Sequence, residues 1–252
     1  MIALARWLSP NFKQLAKDTG KIQVVTISIS HYAELAVWAL QLGGIKFQEH
    51  GYAPAQHIFA ALNVRVGGSE KYLSKTSRTS EVSKSQQDEN TSLLSEREQA
   101  KARRRDAAAR STAVPVAVCP DGKVLVDSWI IAAYAGLTPI EPSLQKILDE
   151  DLGPLARQLA YSHILKKSNL DILDKLCTSD RHILWRLLWS LGVGKETKKK
   201  LFQTFQPYDQ EAVDKCRSKV ASIFQELDGM VASRKHKYLG GESPGVADVA
   251  LA

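Results

Sequence analysis

Val114-Pro115 and Asp127-Ser128 are the residues whose types and spacing point most directly to chemistry. Between them the chain reads Val-Ala-Val-Cys-Pro-Asp-Gly-Lys-Val-Leu-Val, two short apolar runs around Pro120-Asp121-Gly122. That pattern predicts a strand, a tight turn and a second strand. A proline directly before a buried strand sits at its start or carries a cis bond. Asp127-Ser128 then opens a helix running to Tyr134, where side-chain oxygens and free backbone N–H groups meet in the first turn. An exposed strand edge beside a helix start that attracts a carboxylate makes a small pocket for a peptide.

Other elements must hold this pocket in place. Lys21-Ile-Gln-Val-Val-Thr-Ile-Ser-Ile-Ser30 reads as a first strand, and Ser30-His-Tyr-Ala-Glu-Leu-Ala-Val-Trp-Ala-Leu as the helix after it. Ile45-Lys-Phe-Gln-Glu-His50 reads as a second strand. Beyond Gly136 the character changes. Leu137-Thr-Pro-Ile-Glu-Pro142 reads as a linker, and Leu144, Ile147, Leu148, Leu152, Leu155, Leu159 and Ile164 then recur at helical spacing. Trp185 and Trp189 are four apart on another apolar helix, and Val213, Val220, Ile223, Phe224 and Leu227 mark a third. An α/β domain followed by an all-helical domain is the expected architecture.

This order of motifs resembles that of soluble glutathione transferases. The resemblance includes Tyr238-Leu-Gly-Gly-Glu-Ser-Pro-Gly-Val-Ala-Asp248-Val-Ala-Leu, which is similar to that family's second-domain signature. It implies a thioredoxin-like N-terminal domain with a mixed four-stranded sheet, plus an all-α C-terminal helical bundle. The expected boundaries are an extension at 1–20, a glutathione-binding domain at 21–136 and a helical domain at 137–252. The family's core helix continues past the aspartate matched by Asp248, so an end at Ala252 reads as a truncation. Residues 69–110 interrupt the pattern. They are rich in Ser, Gln and charge and poor in core-forming groups, so a disordered insertion in a surface loop is expected. Arg103-Arg104-Arg105 inside it also fits a nuclear-localisation or RNA-touching patch.

The resemblance implies glutathione as co-substrate, with no metal. Ser128 and its helix start would take the γ-glutamyl carboxylate, and Asp127 the ammonium. Val114, beside Pro115, would exchange backbone hydrogen bonds with the ligand's cysteine. Ser30 stands where relatives place a Ser or Cys that stabilises the thiolate; the structural alternative is a helix cap alone, with Ser28 facing the core. Tyr32 is the nearest other hydroxyl. A similar family helix carries cysteine, lysine and arginine where this chain has Ala33, Leu35 and Val37; the helix is apolar almost all round, which suggests deeper burial between the domains. The cation for the glycine carboxylate is poorly met, with His57, Arg65 and Arg110 as candidates. Asp248 is expected to order the loop before its helix.

Composition narrows the partners. Apolar residues at 44% and charged residues at 24% suit a soluble globular chain. No apolar run approaches the ~18 residues of a membrane span, so no membrane partner is expected. The net charge of +7 could suggest nucleic acid, but residues 65–110 hold eleven Lys/Arg against seven Asp/Glu, so most of the surplus sits in the atypical segment. Three cysteines without metal or redox spacing suit free buried thiols in a reducing, cytoplasmic compartment. The mildly basic residues 1–20 leave organelle targeting as the alternative. Partners are then glutathione, a hydrophobic electrophile lying against the second domain, and a second copy in a homodimer. The leading reading is an enzyme conjugating glutathione to electrophiles, as in detoxification. A glutathione-transferase-like binding or scaffold protein without turnover is the alternative. Thiol–disulfide exchange is disfavoured, because neither Ser30 nor Ala33 is a cysteine.

Overall fold

A computed structural model describes residues 9–28, 30–66, 72–73, 113–179, 181–207, 209–232 and 237–251. The chain divides into two compact units, one of Met1–Tyr52 and His57–Ala135, the other of Ala53–Gln56 and Gly136–Ala252.

The first unit is built on strand β1, Ile22–Ile27. Its β-branched run is buried on both faces, as a central strand requires. β2, Phe47–Tyr52, lies parallel to it, from Ile22 opposite Phe47 to Ile27 opposite Tyr52. β4, Val116–Val118, lies antiparallel on the other side, and β5, Val124–Leu125, extends the sheet antiparallel to β4. These are the four strands the sequence predicts. A fifth, β3 at Tyr72–Leu73, pairs parallel with β5, giving the order β2-β1-β4-β5-β3. Two residues in a Ser- and Lys-rich stretch carry no period to reveal them. The remainder of the expected insertion, including Arg103, Arg104, Arg105 and Arg110, lies outside the described residues.

Two polar side chains of β1 are fully buried, and both are satisfied. Gln23 donates to the Thr19 hydroxyl at 3.1 Å and the Lys21 carbonyl at 3.0 Å, and its oxygen meets a ring nitrogen of His50 at 2.8 Å. Thr26 donates to Glu49 at 2.6 Å. Helix α1, Phe12–Thr19, is capped by Asn11 and ends at Gly20, whose φ of 63° suits glycine. It buries Phe12 and Ala16 against Val25, Val64 and Val116. Helix α2, His31–Leu42, connects β1 to β2 and buries Leu35 and Val37, as their apolar types predict. Helix α3, His57–Val66, packs on β1 and β4. Helix α4, Ser128–Tyr134, packs on α2; a Cβ at Gly43 would strike the Ala135 carbonyl, so the two helices end side by side.

The second unit is all-helical. α5, Pro142–Lys146, continues through a π-helical turn at Ile147–Leu152 into α6, Gly153–Ile164. α7, Leu170–Thr178, and α8, Ile183–Leu188, follow. A π-helical turn at Trp189–Val193 joins α8 to α9, Gly194–Phe205, and contains Gly192 at φ 136°. α10, Gln210–Ala232, packs on α6, and α11 is Val246–Leu251. Leu144, Leu148, Leu152, Val213, Cys216 and Leu227 are buried. Phe224 departs from expectation at 44% exposure. The buried stripe runs through 213, 216 and 227, and 224 is turned ~100° from the neighbouring position 223. Trp185 and Trp189, four apart, both face inward, their indole N–H groups donating to the Cys177 carbonyl at 2.9 Å and to Asp174 at 3.0 Å. Asp248 accepts from the backbone N–H groups of Leu239, Gly240 and Gly245, each at 2.8 Å.

Candidate functional site

Strand register determines which predicted residues meet. Val116 lies opposite Val25 in the antiparallel β1–β4 pair. Continuing that register sets Pro115 beside Thr26 and Val114 beside Ile27. The Ile27 carbonyl accepts the Ser30 N–H at 2.9 Å. Leu125 lies opposite Ala117 in the β4–β5 pair, so the same continuation sets Asp127 beside Pro115. Ser30, Val114-Pro115 and Asp127-Ser128 therefore come to one end of the sheet. Two strand spacings of ~4.8 Å separate β1 from β5 there, roughly 10 Å, which is the reach of an extended tripeptide.

Each of these residues keeps a different amount of its polar capacity. Ser30 is the N-cap residue of α2, with φ −99° and ψ 118°. Its carbonyl accepts from Ala33 at 2.8 Å and Glu34 at 3.2 Å, but its hydroxyl makes no capping bond. The group is half-buried, at a helix start where the aligned peptide dipoles favour an anion. Ser28, which the capping-only alternative turned toward the core, is exposed: β1 ends at Ile27, and the burial of the strand ends there. Tyr32 packs on the His31 ring, centroids 4.0 Å apart.

The Val114–Pro115 peptide bond is cis. Pro115 is buried, and Val114 packs against the core around Val116. Val114 makes no backbone hydrogen bond among the described residues. Asp127 is the N-cap residue of α4, and its Oδ1 accepts from the Trp129 N–H at 2.8 Å. One carboxylate oxygen thus caps the helix, which is the structural role weighed for it. Ser128 is 4% exposed, on the first turn of α4.

Arg65 has a role that residue type alone did not indicate. It is 2% exposed on α3, and its guanidinium donates to the Ala113 carbonyl at 2.7 Å. The charge is spent holding the chain one residue before Val114. A signal was present: Arg65 follows Ala61 by four, so it falls on the stripe that buries Ala61 and Val64. Of the other two candidate cations, His57 opens α3 and Arg110 lies outside the described residues.

Cys119, Cys177 and Cys216 are all free and buried. Burial pushes the Cys177 thiol up to about 12, helped by Asp174, and burial raises Cys119 and Cys216 as well. Thiols held protonated are poor nucleophiles. Among the described residues no His, Cys, Asp and Glu groups cluster to hold a metal, and no helix is long and apolar enough to cross a membrane. The helical unit separately holds an open groove of about 430 Å³ beside Leu155 and Ile223, lined largely by exposed side chains.

No family profile and no curated protein matches the sequence. Solved structures do. The β-etherase LigF from Sphingobium sp. strain SYK-6 superposes with a TM-score of 0.51 at 13% identity, over 92% of this chain and 81% of that one. A glutathione S-transferase from Xanthobacter autotrophicus Py2 overlaps at a TM-score of 0.39 and 14% identity, over 92% and 79%, a score too low to bear on the fold. Identity this low speaks to architecture and leaves activity open. The likeness speaks to the fold: a mixed thioredoxin-like sheet followed along the chain by an all-helical unit, a glutathione-transferase-like architecture.

Proposed function

We propose that this chain is a glutathione transferase that conjugates glutathione to electrophilic small molecules. The observation that carries the reading is the unspent polar capacity at one end of the sheet. Val114 leaves its backbone unpaired among the described residues, and the Ser30 hydroxyl does not cap its own helix. In this reading the ligand's cysteine pairs with Val114 as a one-residue strand. Ser128 and Asp127 take the γ-glutamyl end. The Ser30 hydroxyl donates to the sulfur, and its hydrogen bond and the α2 dipole favour the thiolate over the thiol. The thiol proton leaves to solvent. The thiolate attacks an electrophilic carbon, an S–C bond forms, and the leaving group departs with its electron pair. Ser30 keeps its own proton throughout. An ether carbon is one such electrophile, as the name of the β-etherase suggests.

A non-catalytic glutathione-binding protein is the second reading, favoured by one observation. Arg65 is spent on the Ala113 carbonyl, which leaves the glycine carboxylate of the ligand without that cation. Retention on immobilised glutathione, followed by conjugation assays, separates the two. The enzyme reading predicts retention lost in Ser128→Ala and turnover lost in Ser30→Ala. Retention without turnover supports the binding protein, and absence of retention removes both.

A further inference from the structure

The helical unit presents an apolar face to solvent. Along α8 and the π-helical turn after it, Trp185 and Trp189 point inward, 2% and 6% exposed. The outward stripe is Ile183, Leu187 and Leu191, four apart and 57%, 49% and 82% exposed. Leu188 flanks it at 38%, and α7 adds Ile172 and Leu176. A helix with water on one side ordinarily carries charge there; one that is apolar on both faces calls for a covering.

The segment that carries this face is basic. Residues 166–200 hold nine Lys/Arg against four Asp/Glu, a net of +5. Two of the acids are already engaged: Asp174 accepts from Lys198 at 2.7 Å and from Trp189, and Asp171 pairs with Lys175 at 3.7 Å. Lys166, Lys167, Arg186, Lys195, Lys199 and Lys200 are exposed.

We propose that this face seats on an anionic membrane surface, its leucines and isoleucine entering the headgroup boundary and its lysines and arginine meeting lipid phosphates and carboxylates. Leucine and isoleucine bordered by lysine is the composition of segments that lie in that interface. The core of a protein–protein interface is enriched in aromatic residues and depleted in lysine, and this stripe has no aromatic side chain. A second copy of the chain would bring two like-charged rims together, which repels. The lack of a run long enough to span a bilayer bears on crossing a membrane and leaves lying on one open. The inference stands apart from glutathione chemistry.

Co-sedimentation of the full chain with vesicles tests it. Vesicles of phosphatidylcholine containing phosphatidylserine should bind at least ~10-fold tighter than phosphatidylcholine alone, and added salt should weaken that binding. Leu187→Gln with Leu191→Gln should weaken it ~10-fold without lowering the melting temperature, because both side chains are largely in water. Leu191→Gln alone, at the most exposed position, serves if the pair fails to fold. Lys195→Gln with Lys199→Gln should weaken binding and flatten the salt dependence. No preference for anionic vesicles, or binding indifferent to the leucine substitutions, overturns the proposal. So does a dimer in sedimentation velocity that these substitutions dissolve while vesicles are ignored, which would assign the face to a second copy.

Discussion

The turn at Asp248 and the sheet end at Val114 both gather polar groups, and they use them in opposite ways. Asp248 accepts three backbone N–H groups at 2.8 Å, so its carboxylate is consumed by the fold. At the sheet end, Val114 makes no backbone hydrogen bond among the described residues, and Ser30 withholds its hydroxyl from the helix it begins. Closed polar clusters stabilise local structure, because removing one partner strands the others. Polar groups left open beside a buried strand forgo that stabilisation and are suited to a ligand that completes them. Asp127 stands between the extremes, with one oxygen on the Trp129 N–H at the start of its own helix.

Substitutions can break this contrast. Asp248→Ala should cost the most stability, about 3 kcal/mol in urea unfolding, because three N–H groups lose their acceptor together. A loss under ~1 kcal/mol would mean that water replaces the carboxylate. Ser30→Ala should show the reverse profile. Turnover falls ~100-fold with the loss of the sulfur's donor, while stability changes by less than ~0.5 kcal/mol, since no cap is lost. Stability falling with turnover intact would reassign Ser30 to the helix.

Arg65→Gln sharpens the contrast by loosening the open site from behind. With Val114 less firmly held, KM for glutathione should rise ~10-fold with kcat within about twofold. Equal losses in KM and kcat would indicate general disruption, and Arg65→Lys should restore only part of the effect, because lysine lacks the planar fork. Asp127→Ala should cost about 1 kcal/mol as a lost cap. Any further loss of glutathione retention measures the part the carboxylate plays beyond capping.

The smallest effect concerns pH. Burial against Phe12 and Gln23 holds His50 below its ordinary value, with nearby Glu49 opposing the shift. The unfolded chain then binds the proton more readily than the folded one. This contribution to stability is present above the ordinary histidine range and is lost as pH falls through it. The urea midpoint should drop on acidification, and His50→Gln should flatten that drop.

Much of this was legible residue by residue. Two short apolar runs around Pro120-Asp121-Gly122 marked β4 and β5, and apolar residues at helical spacing marked α5 through α6. Asp127 announced a helix start and makes the expected bond. Three features were less legible. β3 is two residues long, Phe224 sits one position off its stripe, and Arg65 reads by type as a candidate cation for the ligand's glycine carboxylate. Each depends on which face a backbone turns toward neighbours distant in sequence.

Local chemistry is written in the chain, since periodicity, turn residues and caps act over a few positions and need no distant partner. From these the sequence by itself marked four of the strands, most of the long helices and the residues proposed to meet a peptide. Tertiary structure alone decided which polar groups are consumed. The Ser30 hydroxyl does not cap its helix, the Arg65 guanidinium is spent on Ala113, and the α8 leucines face water, because hydrogen-bond partners and burial are set by elements brought together across the fold.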